Sequence, residues 1–287
     1  MEAVIDYEAR VVQKRGMLSP NIMKLSSSSS SSNHHNRLSM PLSSPDTTNP
    51  NSPKNSNGSI FSSNEGVTEL FLGGTNMGHN GCIAVAKMLE QTTSLRVLSL
   101  ENCDLHDREA IILAAAITKN VKRLPIEKLQ LSFNNLTCKG IEALMNAVWG
   151  LKCIKNLQLD NNQMQTRGAQ VVSAVLGAVS TLTTLNVGFN SITGSGIKML
   201  MKNVAKSTTL TSLTISGNNI DSASANAVAI ALANNKSLTS LFLDHCSIPS
   251  EGQRLMTAGI VSNSNTRLQI LTGFRIGCKL CHSMFLT

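Results

Sequence analysis

Ile126-x-x-Leu129-x-Leu131-x-x-Asn134-x-Leu136 decides the fold, because the chain repeats it in register. It returns as Ile154-x-x-Leu157-x-Leu159-x-x-Asn162-x-Met164, then as Leu182-x-x-Leu185-x-Val187-x-x-Asn190-x-Ile192, then as Leu210-x-x-Leu213-x-Ile215-x-x-Asn218-x-Ile220. The four asparagines stand 28 residues apart. A period kept this strictly marks stacked units, none of which can bury its apolar face alone. Working outward, the pattern reappears at Val67-x-x-Leu70-x-Leu72-x-x-Thr75-x-Met77, at Leu95-x-x-Leu98-x-Leu100-x-x-Cys103-x-Leu105 and at Leu238-x-x-Leu241-x-Leu243-x-x-Cys246-x-Ile248. Only the step from Cys103 to Asn134 differs, at 31 residues. Its three extra residues are expected near Val121 to Pro125, in a loop after a helix, where insertion costs little. An eighth copy opens with Leu268 and Leu271 and then fails, because Gly273 stands where the third apolar residue belongs.

Each copy has two halves. The first alternates apolar and polar residues over about six positions, the pattern of a half-buried strand. The second follows a small residue in fixed register (Gly81, Gly140, Gly168, Gly196 and Gly252, with Glu109 and Ser224 as exceptions) and then shows helical periodicity, as in Ile141, Leu144, Met145 and Val148. Strands are narrower than helices, so the strands are expected to line the inner curve. The asparagine falls where the chain leaves the strand and backbone groups lose their partners. A side chain with donors and an acceptor satisfies them within and between turns, and its loss leaves buried groups unpaired at about 1–3 kcal/mol per site. Cys103 and Cys246 fill the same slot as poorer donors. These positions are read as structural, not catalytic.

The motif L-x-x-L-x-L-x-x-N/C-x-L, with its Gly-started helix and 28-residue period, resembles the ribonuclease-inhibitor-like class of leucine-rich repeat. That class also occurs in Ran GTPase-activating proteins and in the arrays of NOD-like receptors. The resemblance covers about residues 66–272. It implies an α/β fold: a right-handed solenoid, or horseshoe, of about seven to eight 28-residue strand–helix repeats, with a parallel sheet on the concave face. It does not fix a function, since the class serves many partners. A non-catalytic protein-binding scaffold is the first reading and a GTPase activator for a Ran-like small GTPase the alternative. Against the alternative, such activators are known for a long acidic C-terminal tail, whereas this sequence ends in Lys279-Leu-Cys-His-Ser-Met-Phe-Leu-Thr287.

Outside the array, residues 1–65 read as a disordered Ser/Asn/Pro-rich tail, with too little apolar surface to offset the entropy of ordering. Residues 2–15 have the spacing and charge order of a short helix, and Ser19, Ser44 and Ser52 each precede a proline. Residues 273–287 read either as an atypical cap or as a truncated repeat. Seven cysteines suit reduced thiols rather than a disulfide framework. No segment has 18 consecutive apolar residues, and Met1-Glu-Ala-Val-Ile-Asp lacks the features of a signal peptide. A monomer in the cytoplasm, with the nucleus as a second place, is expected, without contact to a membrane.

Stacking the strands lists the inner face by column. The residues include Glu69, Glu101, Asp160 and Asp244 against Lys128 alone, with no arginine, while the net charge of +8 is expected to fall mainly on the helices and their ends, as a solvated convex face. That distribution argues against nucleic acid, which needs clustered basic and stacking residues on one surface. A polar inner surface set with aromatic residues suits a protein partner instead. The candidate contacts are Phe71, Glu101, Phe133, Asp160, Phe189, Phe242, Asp244 and His245, because interfaces concentrate energy in a few aromatic anchors. Phe133 and Phe189 have a competing reading as packing at the loop edge. No phosphate loop, H-E-x-x-H or G-x-S-x-G string occurs, and Cys278-Lys-Leu-Cys281-His282 lacks a second ligand pair, so no cofactor and no metal are expected.

Overall fold

The computed structural model describes residues 66–273 together with the backbone of Met23–Ser27 and Arg37–Leu38. These two short segments, β1 and β2, lie within the stretch read from sequence as disordered. β1 pairs antiparallel with β2 and with the first strand of the array. The rest of 1–65, including the helix expected at 2–15 and the three Ser-Pro sites, lies outside the described residues, as does 274–287.

From residue 66 onward strands and helices alternate. They are β3 (Val67–Phe71), α1 (Gly78–Gln91), β4 (Val97–Ser99), α2 (Asp107–Asn120), β5 (Lys128–Gln130) and α3 (Cys138–Val148). There follow β6 (Asn156–Gln158), α4 (Gln165–Ala178), β7 (Thr184–Asn186), α5 (Gly194–Val204) and β8 (Ser212–Thr214). The array ends with α6 (Ser222–Asn234), β9 (Ser240–Phe242), α7 (Ser250–Ser262) and β10 (Ile270–Thr272). Among the described residues, β3 to β10 form one open sheet of eight parallel strands in sequential order, backed by seven helices. This is an α/β leucine-rich-repeat solenoid.

The register follows the repeat. Leu70, Leu98, Leu129, Leu157, Leu185, Leu213 and Leu241 stand opposite one another along the sheet, each 2% exposed or less. They meet the inward helix faces, such as Ile141, Leu144, Met145 and Val148 of α3, in one continuous core. The eighth strand keeps the pairing, with Leu271 opposite Leu241, although the consensus has failed by Gly273. The extra residues after Cys103 appear at the turn of Val121 to Arg123 that follows α2. Strands sit about 4.8 Å apart and packed helices about 10 Å apart, so the array bends with the sheet inside.

The small residue opening each helix has a packing cause. A Cβ at Gly252 would lie 2.5 Å from the Ala225 Cβ of the preceding helix, and one at Gly140 3.1 Å from the Ala110 Cβ and 2.5 Å from Asp107 Oδ1. At these two helix starts the preceding helix comes too close for a side chain, whereas Glu109 and Ser224 occupy the same position in α2 and α6.

The asparagines form a ladder through the turns. Asn134 Nδ2 donates to the carbonyls of Leu100 (2.9 Å), Leu131 (2.9 Å) and Ser132 (3.3 Å), while its Oδ1 accepts from the amides of Cys103 (3.1 Å) and Leu105 (3.0 Å). Asn162, Asn190 and Asn218 repeat the arrangement, each joining its own turn to the preceding one. In the same slot Cys103 Sγ donates to the Leu72 carbonyl at 3.1 Å and Cys246 Sγ to that of Ile215 at 3.4 Å. Burial pushes the Cys246 thiol up to about 11 and raises that of Cys103, so each stays a neutral donor.

Candidate functional site

The inner face of the sheet is built by the residues that alternate with the buried leucines. One column runs Phe71, Ser99, Gln130, Gln158, Asn186, Thr214 and Phe242, each directly opposite the next. Phe71 and Phe242 thus occupy the two ends of the column, six strand spacings or about 29 Å apart. Both are half-buried. The candidate residues consequently fall into three groups rather than one site: Phe71 with Glu101, Phe133 with Asp160, and Phe189 with Phe242, Asp244 and His245.

The middle group is a hydrogen-bonded cluster. Asp160, 4% exposed, accepts from Ser132 Oγ at 2.5 Å and Asn186 Nδ2 at 2.9 Å through Oδ1, and from Asn161 Nδ2 at 2.9 Å through Oδ2. These donors come from three successive turns, so the carboxylate ties the centre of the face together. Sequence columns place Asp160 on the face but carry no sign of its burial. Glu101, half-buried, accepts from Gln130 Nε2 at 2.8 Å.

The third group is the most exposed. Phe189, 39% exposed, leans across Gly217 of the following repeat, whose missing Cβ would stand 2.3 Å from the ring. It thereby reaches His245 two repeats on, with ring centroids 6.0 Å apart and planes tilted by 47°. Gly217 is at φ +68°, and the equivalent Phe133, Phe189 and His245 are at +58°, +53° and +60°. Large side chains rarely adopt this left-handed backbone, yet the turn geometry of the repeat imposes it. Asp244 accepts a hydrogen bond from Thr272 Oγ1 and, half-buried, borders the same end of the face.

A second set of asparagines escaped sequence reading. Asn120 Nδ2 donates to the carbonyls of Leu89 and Thr92, Asn235 Nδ2 to those of Val204 and Ser207, and Asn263 Nδ2 to those of Leu232 and Asn235. They close the carbonyl ends of the preceding helices, which a helix leaves without intrahelical partners. Their signal was the 28-residue step from Asn235 to Asn263 and from Thr92 to Asn120. The column is broken by Leu151, Val179 and Ser207, which hides it.

Among the described residues no group of three or more His, Cys, Asp or Glu side chains could hold a metal, and no helix is long and apolar enough to cross a membrane. Cys278, Cys281 and His282 lie outside the described residues.

Comparison with known proteins adds the class. A family model described as "Leucine Rich repeat" matches residues 125–145, 180–201 and 206–229. Eight strands paired in the same register carry the leucine-rich-repeat fold beyond those three segments. No curated protein sequence matches it. Among solved structures it is similar to leiomodin-1 actin-binding site 2, at 22% identity and a TM-score of 0.44 over 51% of this chain and 87% of that one. It is also similar to the tropomodulin C-terminal domain of Caenorhabditis elegans, at 15% identity and a TM-score of 0.44 over 52% of this chain and 92% of that one.

Proposed function

We propose that this protein is a non-catalytic scaffold that binds a protein partner on the concave face of its sheet, with the ribonuclease-inhibitor-like form of the repeat. The observation that carries the reading is the pairing of Phe189 and His245 across Gly217. This pairing sets an aromatic surface on the rim of a face whose central column, Ser99 to Thr214, is polar. Aromatic anchors ringed by hydrogen-bonding residues are the usual energetic centre of a protein interface. Phe242 and Asp244 extend this anchor along the sheet, and Phe71 with Glu101 supplies a second contact at the far end. The inner columns carry no arginine that could act as an arginine finger on a phosphoryl transition state. The five described cysteines are unpaired thiols, which suits a reducing compartment, the cytoplasm or nucleus.

The test is affinity capture from cell extract with the native chain and a Phe189→Ala, Phe242→Ala, Asp244→Lys variant of equal melting temperature. Loss of a captured protein from the variant alone supports the reading. An unchanged set of captured proteins rejects the concave face as the site.

A further inference from the structure

The fold brings the cations at the helix ends together on one edge. Consider the edge where helices end and strands begin, from the last turn of each helix to the residue before the next strand. Of the 17 Lys and Arg in residues 66–273, ten lie on this edge, against two of the 12 Asp and Glu. The edge therefore carries a net charge of +8 and the remainder of the array −3. Six further cations, Lys87, Arg108, Lys139, Arg167, Lys198 and Arg254, lie on the helices themselves, so the cations expected on helices and their ends divide between the two. Residues just before the strands are stacked by backbone bonds, with Arg96 N bonded to Thr68 O, Lys155 N to Glu127 O and Gln269 N to Thr239 O, so the edge is continuous.

Neutralising the helix ends accounts for only part of this. Seven parallel helices present their carbonyl ends here, together about −3.5 elementary charges, and that field fades within a turn. Lys122, Arg123, Lys152, Lys206, Lys236 and Arg267 lie past the helix ends, and all are exposed. The two acids are occupied locally: Glu90 takes Lys119 at 2.6 Å, and Glu127 takes Lys155 at 2.8 Å together with Arg96.

We infer that this edge is a second docking surface, separate from the concave face, and that it takes an acidic polypeptide segment. Its cations recur after six of the seven helices, the segment after α4 carrying none, among hydroxyl side chains such as Thr181, Thr183, Thr209, Thr211 and Thr239. Trp149 is the sole aromatic residue on it among those described, so bases find no row of stacking residues, and a bilayer meets only Trp149 and Val261 as exposed large apolar side chains, far apart at the ends of α3 and α7. Two carboxylates, Glu90 and Glu127, stand among the cations, as in protein interfaces of mixed sign.

The experiment measures binding of the full chain to fluorescent poly-L-glutamate, single-stranded DNA and phosphatidylserine vesicles at matched charge concentration. The variants are Lys122→Glu, Lys152→Glu, Lys206→Glu, Lys236→Glu on the edge and Lys87→Glu, Arg108→Glu, Lys139→Glu, Lys198→Glu on the helices, equal in net charge. The expected result is that poly-L-glutamate binds most tightly, weakens as salt rises, loses at least tenfold in affinity with the edge variant and keeps its affinity with the helix variant. Equal loss with both variants, no binding of poly-L-glutamate, or tighter binding of DNA or vesicles would overturn the assignment. The concave-face variant is expected to leave this binding unchanged, so the two surfaces fail independently.

Discussion

Replacing Asn134 by alanine tests the ladder most sharply, because the ladder's rungs are unequal. Asn134 Oδ1 accepts from two buried amides, those of Cys103 and Leu105. Asn190 Oδ1 accepts from one, that of Met164. The carbonyls served by Asn190 keep other donors when its side chain is removed. Leu159 O retains Asn162 Nδ2, Val187 O retains Asn218 Nδ2, and Gly188 O retains the Asn161 amide. Asn190→Ala thus orphans one donor, at about 1–3 kcal/mol, plus a loss common to both sites for the emptied volume. Asn134→Ala orphans two donors. It also deprives the Leu100 carbonyl of its donor, since Cys103 Sγ in the preceding slot bonds Leu72 O and Glu101 O instead. It is therefore expected to cost at least about 1–3 kcal/mol more than Asn190→Ala. Urea unfolding by circular dichroism reads the difference. Native-state hydrogen exchange locates it, with the amides of Cys103 and Leu105 losing protection first. Equal losses for the two variants, or Asn134→Ala within about 0.5 kcal/mol of the native protein, would refute the satisfied-donor account.

Other perturbations probe different joints. Asn235→Ala removes bonds to Val204 O and Ser207 O and the acceptor for the Ser237 and Leu238 amides, and is expected to lower stability by about 2–4 kcal/mol in the same assay. Gly259→Ala would set a Cβ 2.3 Å from the Ala229 carbonyl oxygen, pushing α7 off α6, and is expected to cost about 1–3 kcal/mol and to raise hydrogen exchange in α7. Cys246, buried and held near 11, is about one part in 1,000 thiolate at pH 8, so iodoacetamide is expected to label exposed Cys153 long before Cys246, read by mass spectrometry. Hydrogen bonds from Lys155 and then Arg96 hold the Glu127 carboxyl below its ordinary range. Its stabilisation is therefore present above the unfolded value of about 4.3 and lost as pH falls through the folded one, so acid unfolding is expected to be shallower for Glu127→Gln, by under about 1 kcal/mol for so exposed a pair.

The repeat made the fold legible. Once Leu129, Leu157, Leu185 and Leu213 share a register, strand pairing and burial follow, and so does the bonding role of the asparagines. The inner columns were legible for the same reason, since alternation along a strand fixes the face. What sequence could not supply was distance across repeats. Nothing in the columns shows that Phe189 passes over Gly217 to His245, because that contact depends on a missing Cβ and on ring direction. The burial of Asp160 likewise rests on donors from three turns. The charged edge was hidden because helix-end residues were grouped with helix faces, from which the chain separates them by turning.

The most direct test of concave-face binding is site-specific photocrosslinking in cells. A photoreactive phenylalanine analogue is placed at Phe189, at Phe242 and, as the outer-face comparison, at Ile111, which is 51% exposed on α2. The account predicts one shared adduct protein from the two concave positions and its absence from Ile111. The same adduct from Ile111 alone, with none from Phe189 or Phe242, would contradict it.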